Sequence, residues 1–153
     1  MSTTSPFPDL TQGPPRSPRV RLGGYVLLPR ILDKGRAALA GKLGEYHFAG
    51  KGMDRHFFNF TGADFEAFKT ELAKGHGDGA MLAWVNANAK HARQPWEIAA
   101  WSAYHENRTP DSDAETIGQF AESVGKFSKD REDVNTWFSL LDLDDHCTFG
   151  GKP

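Results

Sequence analysis

A single, mainly α-helical domain is the fold this sequence predicts, on three observations. Apolar residues recur at helical spacing in the last four patterned segments, and the first three of these open on capping signals or a proline. No long run alternates apolar and polar residues as a half-buried strand would. The chain has 153 residues, enough for one core without disulfide or metal staples. The expected architecture is a compact, irregular domain of five or six helices, with at most one short hairpin.

The first 18 residues hold Pro6, Pro8, Pro14, Pro15 and Pro18 among Ser and Thr. Proline removes backbone donors, so 1–18 reads as a flexible or surface-hugging arm on which Phe7 and Leu10 are the groups able to dock. Residues 19–153 form the globular helical domain. Arg16, Arg19 and Arg21 lead to the Gly23–Gly24 pair, which permits a tight turn. The first helix carries Val26, Leu27, Ile31, Leu32, Ala38 and Leu39 on its apolar side, with Pro29 either kinking it or marking its true start. Arg30, Asp33 and Lys34 share a connected polar stripe of that helix.

Between Gly41 and Phe60 four glycines break the chain into turns, and Tyr46 and Phe48 are the residues that could share a face of the short hairpin. The rings of Phe57, Phe58 and Phe60 are expected between helices. Thr61 and Asp64 have capping-box spacing ahead of Phe65, Phe68 and Leu72. Asp78 caps a helix with Met81, Trp84, Val85 and Ala89 inward. Gln94, Pro95 and Glu97 open the next, which runs through Ile98, Trp101 and Tyr104. Ser112 and Glu115 cap a segment with Ile117, Phe120, Ala121, Val124 and Phe127 on one face. Val134, Trp137, Phe138 and Leu141 trace the last helix, and Asp142, Asp144 and Asp145 crowd what the spacing makes its C-terminal end, where negative charge is unfavourable.

Lys and Arg number 18 against 20 Asp and Glu, a formal charge of -2. Such a balance gives no general attraction to nucleic acid or an anionic membrane, so neither is an expected partner. No apolar run marks a leader or a membrane span, and Cys147 has no second cysteine to pair with, so the cytoplasm is the expected address. Phosphate-loop, dinucleotide and helical zinc motifs are lacking, and no cofactor is implied. His146 and Cys147 are neighbours that regular structure points apart. Asp144, Asp145 and His146 cluster in sequence without the convergence a cation needs, so no metal site is assigned.

The strongest constellation joins Arg30, Asp33 and Lys34 to Tyr46, His47, Asp54, Arg55 and His56 in a cleft, and the plainer reading of the same residues is an internal salt-bridge and aromatic seam. Arginine can orient an anionic ligand, and a histidine can exchange a proton near neutral pH. Arg30, Asp33, Lys34, Tyr46, His47 and His56 are therefore the candidate ligand-binding residues. The expected function is binding of a small, anionic molecule, with or without catalysis. The alternative is a noncatalytic protein-interaction or structural domain using exposed aromatics and the acidic last helix.

The runs PRSPRVRLGGY, LPRILDK and GEYHF, continued by DRHFFNFTG and the helix around Trp84, resemble a family of small uncharacterised bacterial proteins known only as a domain of unknown function. The resemblance covers most of the chain after the arm. It implies a bacterial, cytoplasmic, single-domain protein and carries no catalytic residue across.

Overall fold

The computed structural model describes residues 7–111 and 113–153. Part of the arm, residues 1–6, and the cap assigned to Ser112 lie outside the described residues. Seven helices occur among them: α1 (Leu28–Leu39), α2 (Asp54–Thr61), α3 (Phe65–Leu72), α4 (Asp78–Asn88), α5 (Pro95–Asn107), α6 (Ala114–Gly125) and α7 (Trp137–Thr148). The domain is mainly α, and the expectations differ from it in two places. Tyr46 and Phe48 lie in a stretch of turns, and the β pairing among the described residues is an isolated bridge between Leu22 and Tyr25. The additional helix is α2, whose aromatic residues were expected as filler between helices.

Helix α1 lies at the centre. Leu28, Ile31, Leu32 and Ala37 are buried, and the first three join Phe57, Phe58, Phe68, Leu72, Met81, Val85 and Phe138 in the main core. Gly35 lets α3 come close: a Cβ there would collide with the Leu72 side chain and stand 2.9 Å from the Phe48 ring. Pro29 sits in the first turn, where a missing N–H costs nothing. Leu27, just ahead of it, has φ 71°, a conformation that non-glycine residues rarely adopt. Such strain costs on the order of 1–3 kcal/mol. Complete burial of its side chain offsets that by about 1.5–3 kcal/mol. Its N–H also donates to the Pro18 carbonyl at 3.0 Å, and its carbonyl accepts from the Ile31 N–H at 2.9 Å.

The other helix ends follow from their caps. Thr61 closes α2, its hydroxyl turned back to the Phe57 carbonyl, and Gly62 ends the helix at φ 69°. Asp64 alone caps α3 by accepting from the Ala67 N–H, so the start falls three residues later than the Thr61 pattern placed it. Gly77 precedes α4, because Asp78 is held by Arg16 and Arg36 at 2.8 Å each. In α5 the Gln94 N–H donates to the Glu97 carboxylate, with Pro95 following as the first helical residue. Asp113 caps α6.

From Phe7 to Pro18 the arm lies on this body. Leu10, Pro15 and Pro18 are buried, and the Leu10 N–H donates to the Lys42 carbonyl. A second, smaller cluster of Phe120, Val124, Val134, Leu140 and Leu143 joins α6 to α7. Helix α7 thus has two apolar faces, with Phe138 in the main core and Leu140 and Leu143 in the second. Among the described residues no helix is long and apolar enough to cross a membrane.

Candidate functional site

Residues four apart on a helix share a face, and on α1 that pair is Arg30 and Lys34. Both are buried, and each meets a carboxylate from another helix. Arg30 donates from Nη1 to Asp145 Oδ2 at 2.7 Å and from Nη2 to Oδ1 at 3.1 Å, a bidentate fork. The Tyr46 hydroxyl donates to the same Oδ1 at 2.7 Å, and its ring lies 5.6 Å from the Arg30 guanidinium. One turn along, Lys34 Nζ donates to Asp54 Oδ2 at 2.6 Å.

Arg30 with Tyr46, and the pair of Lys34 and Asp54, floor a cavity of about 450 Å³. Its walls are Leu27, Met53 and Leu141, and Glu45, His47, Lys51 and Asp144 stand exposed at its rim. Burial dominates the electrostatics. It raises the Asp54 carboxyl above the ordinary carboxylate range, although Lys34 and Arg30 pull the other way. It also raises the Tyr46 phenol, helped by the hydrogen bond to Asp145. For Arg30 burial opposes the charge, but the Asp145 carboxylate outweighs it and holds the guanidinium above its usual value. Removing one member of such a buried pair typically costs about 3–5 kcal/mol, because the other is left as an uncompensated charge.

Of the six residues expected in the site, Arg30, Lys34, Tyr46 and His47 line this cavity and Asp33 and His56 do not. Successive helix residues point about 100° apart, which turns Asp33 away from Lys34 to Arg16. That arginine donates to it from the backbone N–H and from Nε and Nη2. His56 packs on His105 with ring centroids 4.8 Å apart, its Nε2 3.5 Å from Arg108 Nη1. Arg55 is exposed and donates to the Gly52 carbonyl.

The acidic residues of α7 also stand differently from the expectation. The helix runs on to Thr148, so Asp142, Asp144 and Asp145 lie within it rather than at its end. Asp142 takes Ser17 and Arg19 while Asp145 takes Arg30 and Tyr46. Asp145 is the partner of Arg30 and Tyr46 that spacing did not assign. Its signal is a carboxylate on the stripe of Phe138 and Leu141, at i+7 and i+4, which calls for a buried partner. Trp137 packs edge-on to Phe120, its ring 5.8 Å from the Arg108 guanidinium. Among the described residues no group of three or more His, Cys, Asp or Glu is placed to hold a metal ion.

The fold and the site together define a mainly α-helical domain with a polar cleft set on two buried ion pairs of its central helix. The chain belongs to the family described as Domain of unknown function (DUF5069), whose model matches residues 12–147. No curated protein matches it.

Proposed function

We propose that the cleft binds a small organic molecule with a singly charged anionic head, such as a carboxylate, and a polar or cationic remainder. The carrying observation is the pair of buried cations on successive turns of α1 that open into the cavity. Lys34 gives one of its three protons to Asp54, which leaves donors for a ligand oxygen. Lys51 and His47 add donors at the rim. Glu45 and Asp144 stand beside them and repel a multiply charged anion, which favours one negative charge on the head and none on the tail. Leu27, Met53 and Leu141 supply the apolar contact usual in small-molecule sites.

Asp54 supports a second, catalytic reading of the same cleft. Burial raises its affinity for a proton, and it faces the cavity beside an ammonium, an arrangement suited to a general base.

Titrating the folded protein with a panel of small mono- and dicarboxylates and amino acids, with inorganic phosphate as the multiply charged control, tests the reading by amide chemical shifts. Saturable shifts are expected at Lys34, Tyr46 and Lys51 for a singly charged carboxylate. The rim variant Lys51→Ala/His47→Ala, which leaves both buried pairs intact, is expected to weaken binding about tenfold, the equivalent of 1.4 kcal/mol. Unchanged affinity in that variant, or shifts confined to other surfaces, would remove the cleft from consideration.

A further inference from the structure

Helix α5 is apolar on both sides. Its inner face sets Ile98, Trp101, Ser102 and His105 against the body. Its outer face carries Trp96, Ala99, Ala100, Ala103 and Tyr104, all exposed, with Trp96 71% and Tyr104 60% accessible. Scattered apolar residues on a surface need no explanation, but two large rings aligned with three alanines on one helical face form a contiguous patch.

We infer that this face is a self-association surface, and that its occupant is the same face of a second copy of the chain, packed antiparallel across a two-fold axis at Ala100. A two-fold contact must be self-complementary, and α5 has that property in spacing and in charge. Trp96 and Tyr104 each lie four residues, about 6 Å of helix, from Ala100. Antiparallel packing therefore sets each indole against the phenol of the other copy, and Ala99, Ala100 and Ala103 let the backbones approach. Lys90, His91 and Arg93 lie just before the first turn, while Glu106, Asp111 and Asp113 lie at and beyond the last. Arg21 offsets Glu106 at 2.9 Å and Arg108 stands 3.9 Å from Asp111, while Glu97 lies 3.7 Å from Arg93, so the acidic end keeps the charge of Asp113 and the basic end that of Lys90 to face each other across the axis. The helix dipoles oppose each other in the same arrangement.

The same charges disfavour an anionic membrane as the occupant, because the bases near the rings, Arg93 and Arg108, are matched by Glu97 and Asp111 and leave the face no net positive charge. One helix face buries less than the roughly 1,200–2,000 Å² of a standard stable interface. The dimer accordingly dissociates on dilution, with an affinity in the micromolar range.

Sedimentation velocity of the full chain from low micromolar to submillimolar concentration tests this. The weight-average mass is expected to climb from 16.9 kDa towards twice that value, and to climb less at high salt. Ala100→Glu places two carboxylates on the axis and is expected to raise the dissociation constant at least tenfold with the helical circular dichroism unchanged. Trp96→Ala weakens association and Ala100→Ser preserves it. A mass that stays monomeric throughout would overturn the inference. So would an Ala100→Glu variant that associates as the wild type does, or a monomer that binds equimolar phosphatidylcholine and phosphatidylglycerol vesicles through Trp96.

Discussion

His105 is a buried imidazole among rings and cations. Trp101 and His56 lie with centroids 4.8 Å from it, and Arg108 stands beyond His56. Burial, with His56 and Arg108 adding repulsion, pushes its pKa down to about 4 from an ordinary 6.5. The folded protein therefore keeps it neutral at a pH where the unfolded chain takes up the proton. Stability should be highest above pH 6.5, fall as the pH drops below it, and level off for this group near 4. Asp78, held at about 2 by Arg16 and Arg36, acts below that window. Urea unfolding at several pH values should show the slope, and His105→Gln should flatten it; an equal slope in both proteins would assign the acid sensitivity to other groups. The cleft is a more demanding reading at this scale. Arg30, Lys34, Tyr46 and His47 could be grouped from spacing because α1 and the turn after it supply all four. Asp145 reaches them only through tertiary packing across 115 residues, a distance over which helical periodicity carries no information.

At the scale of the element, the period of apolar residues located the helices better than it located their ends. The pattern of α6 is legible because its apolar face is one-sided, with Phe120 and Val124 buried. Helix α2 was hidden: glycines precede it, and Phe57, Phe58 and Phe60 crowd eight residues with too few turns for a period to emerge. Helix α7 was cut short because acids in its last two turns resembled a frayed end, when two of them face buried or half-buried partners. A single hydroxyl ties α5 to the glycine turn. Ser102 accepts from the buried Val26 N–H at 3.1 Å and donates to the Gly24 carbonyl, fixing the glycine turn to the helix across 76 and 78 residues. Ser102→Ala leaves the Val26 N–H buried without a partner, which should cost about 1–3 kcal/mol. Denaturant unfolding measures this directly, and a loss below a few tenths of a kcal/mol would mean that the amide finds another acceptor.

For the molecule as a whole, the two apolar clusters predict unequal resistance to opening. Helix α1 is surrounded by the main core, whereas α6 is held by the few buried residues it shares with α7 and Val134. Native-state hydrogen exchange should find the α6 amides opening in a sub-global step of clearly lower free energy, and those of Ile31 and Leu32 exchanging only with global unfolding. Equal protection in α1 and α6 would show one cooperative unit instead. Helix α7 spans both regions, because its opposite faces belong to different clusters.

The fork between Arg30 and Asp145 also sets an order of events during synthesis. A ribosome adds about 5–20 residues per second, so the arginine of α1 is made on the order of ten seconds before its carboxylate. Throughout that interval the nascent chain has a cation destined for the interior and nothing to neutralise it, and α1 has reason to stay hydrated rather than to pack. Arrival of α7 supplies the missing charge, the acceptor of the Tyr46 hydroxyl and the Leu141 wall together. The cleft is thus the last part of the domain to come into being, and a growing chain does not present it.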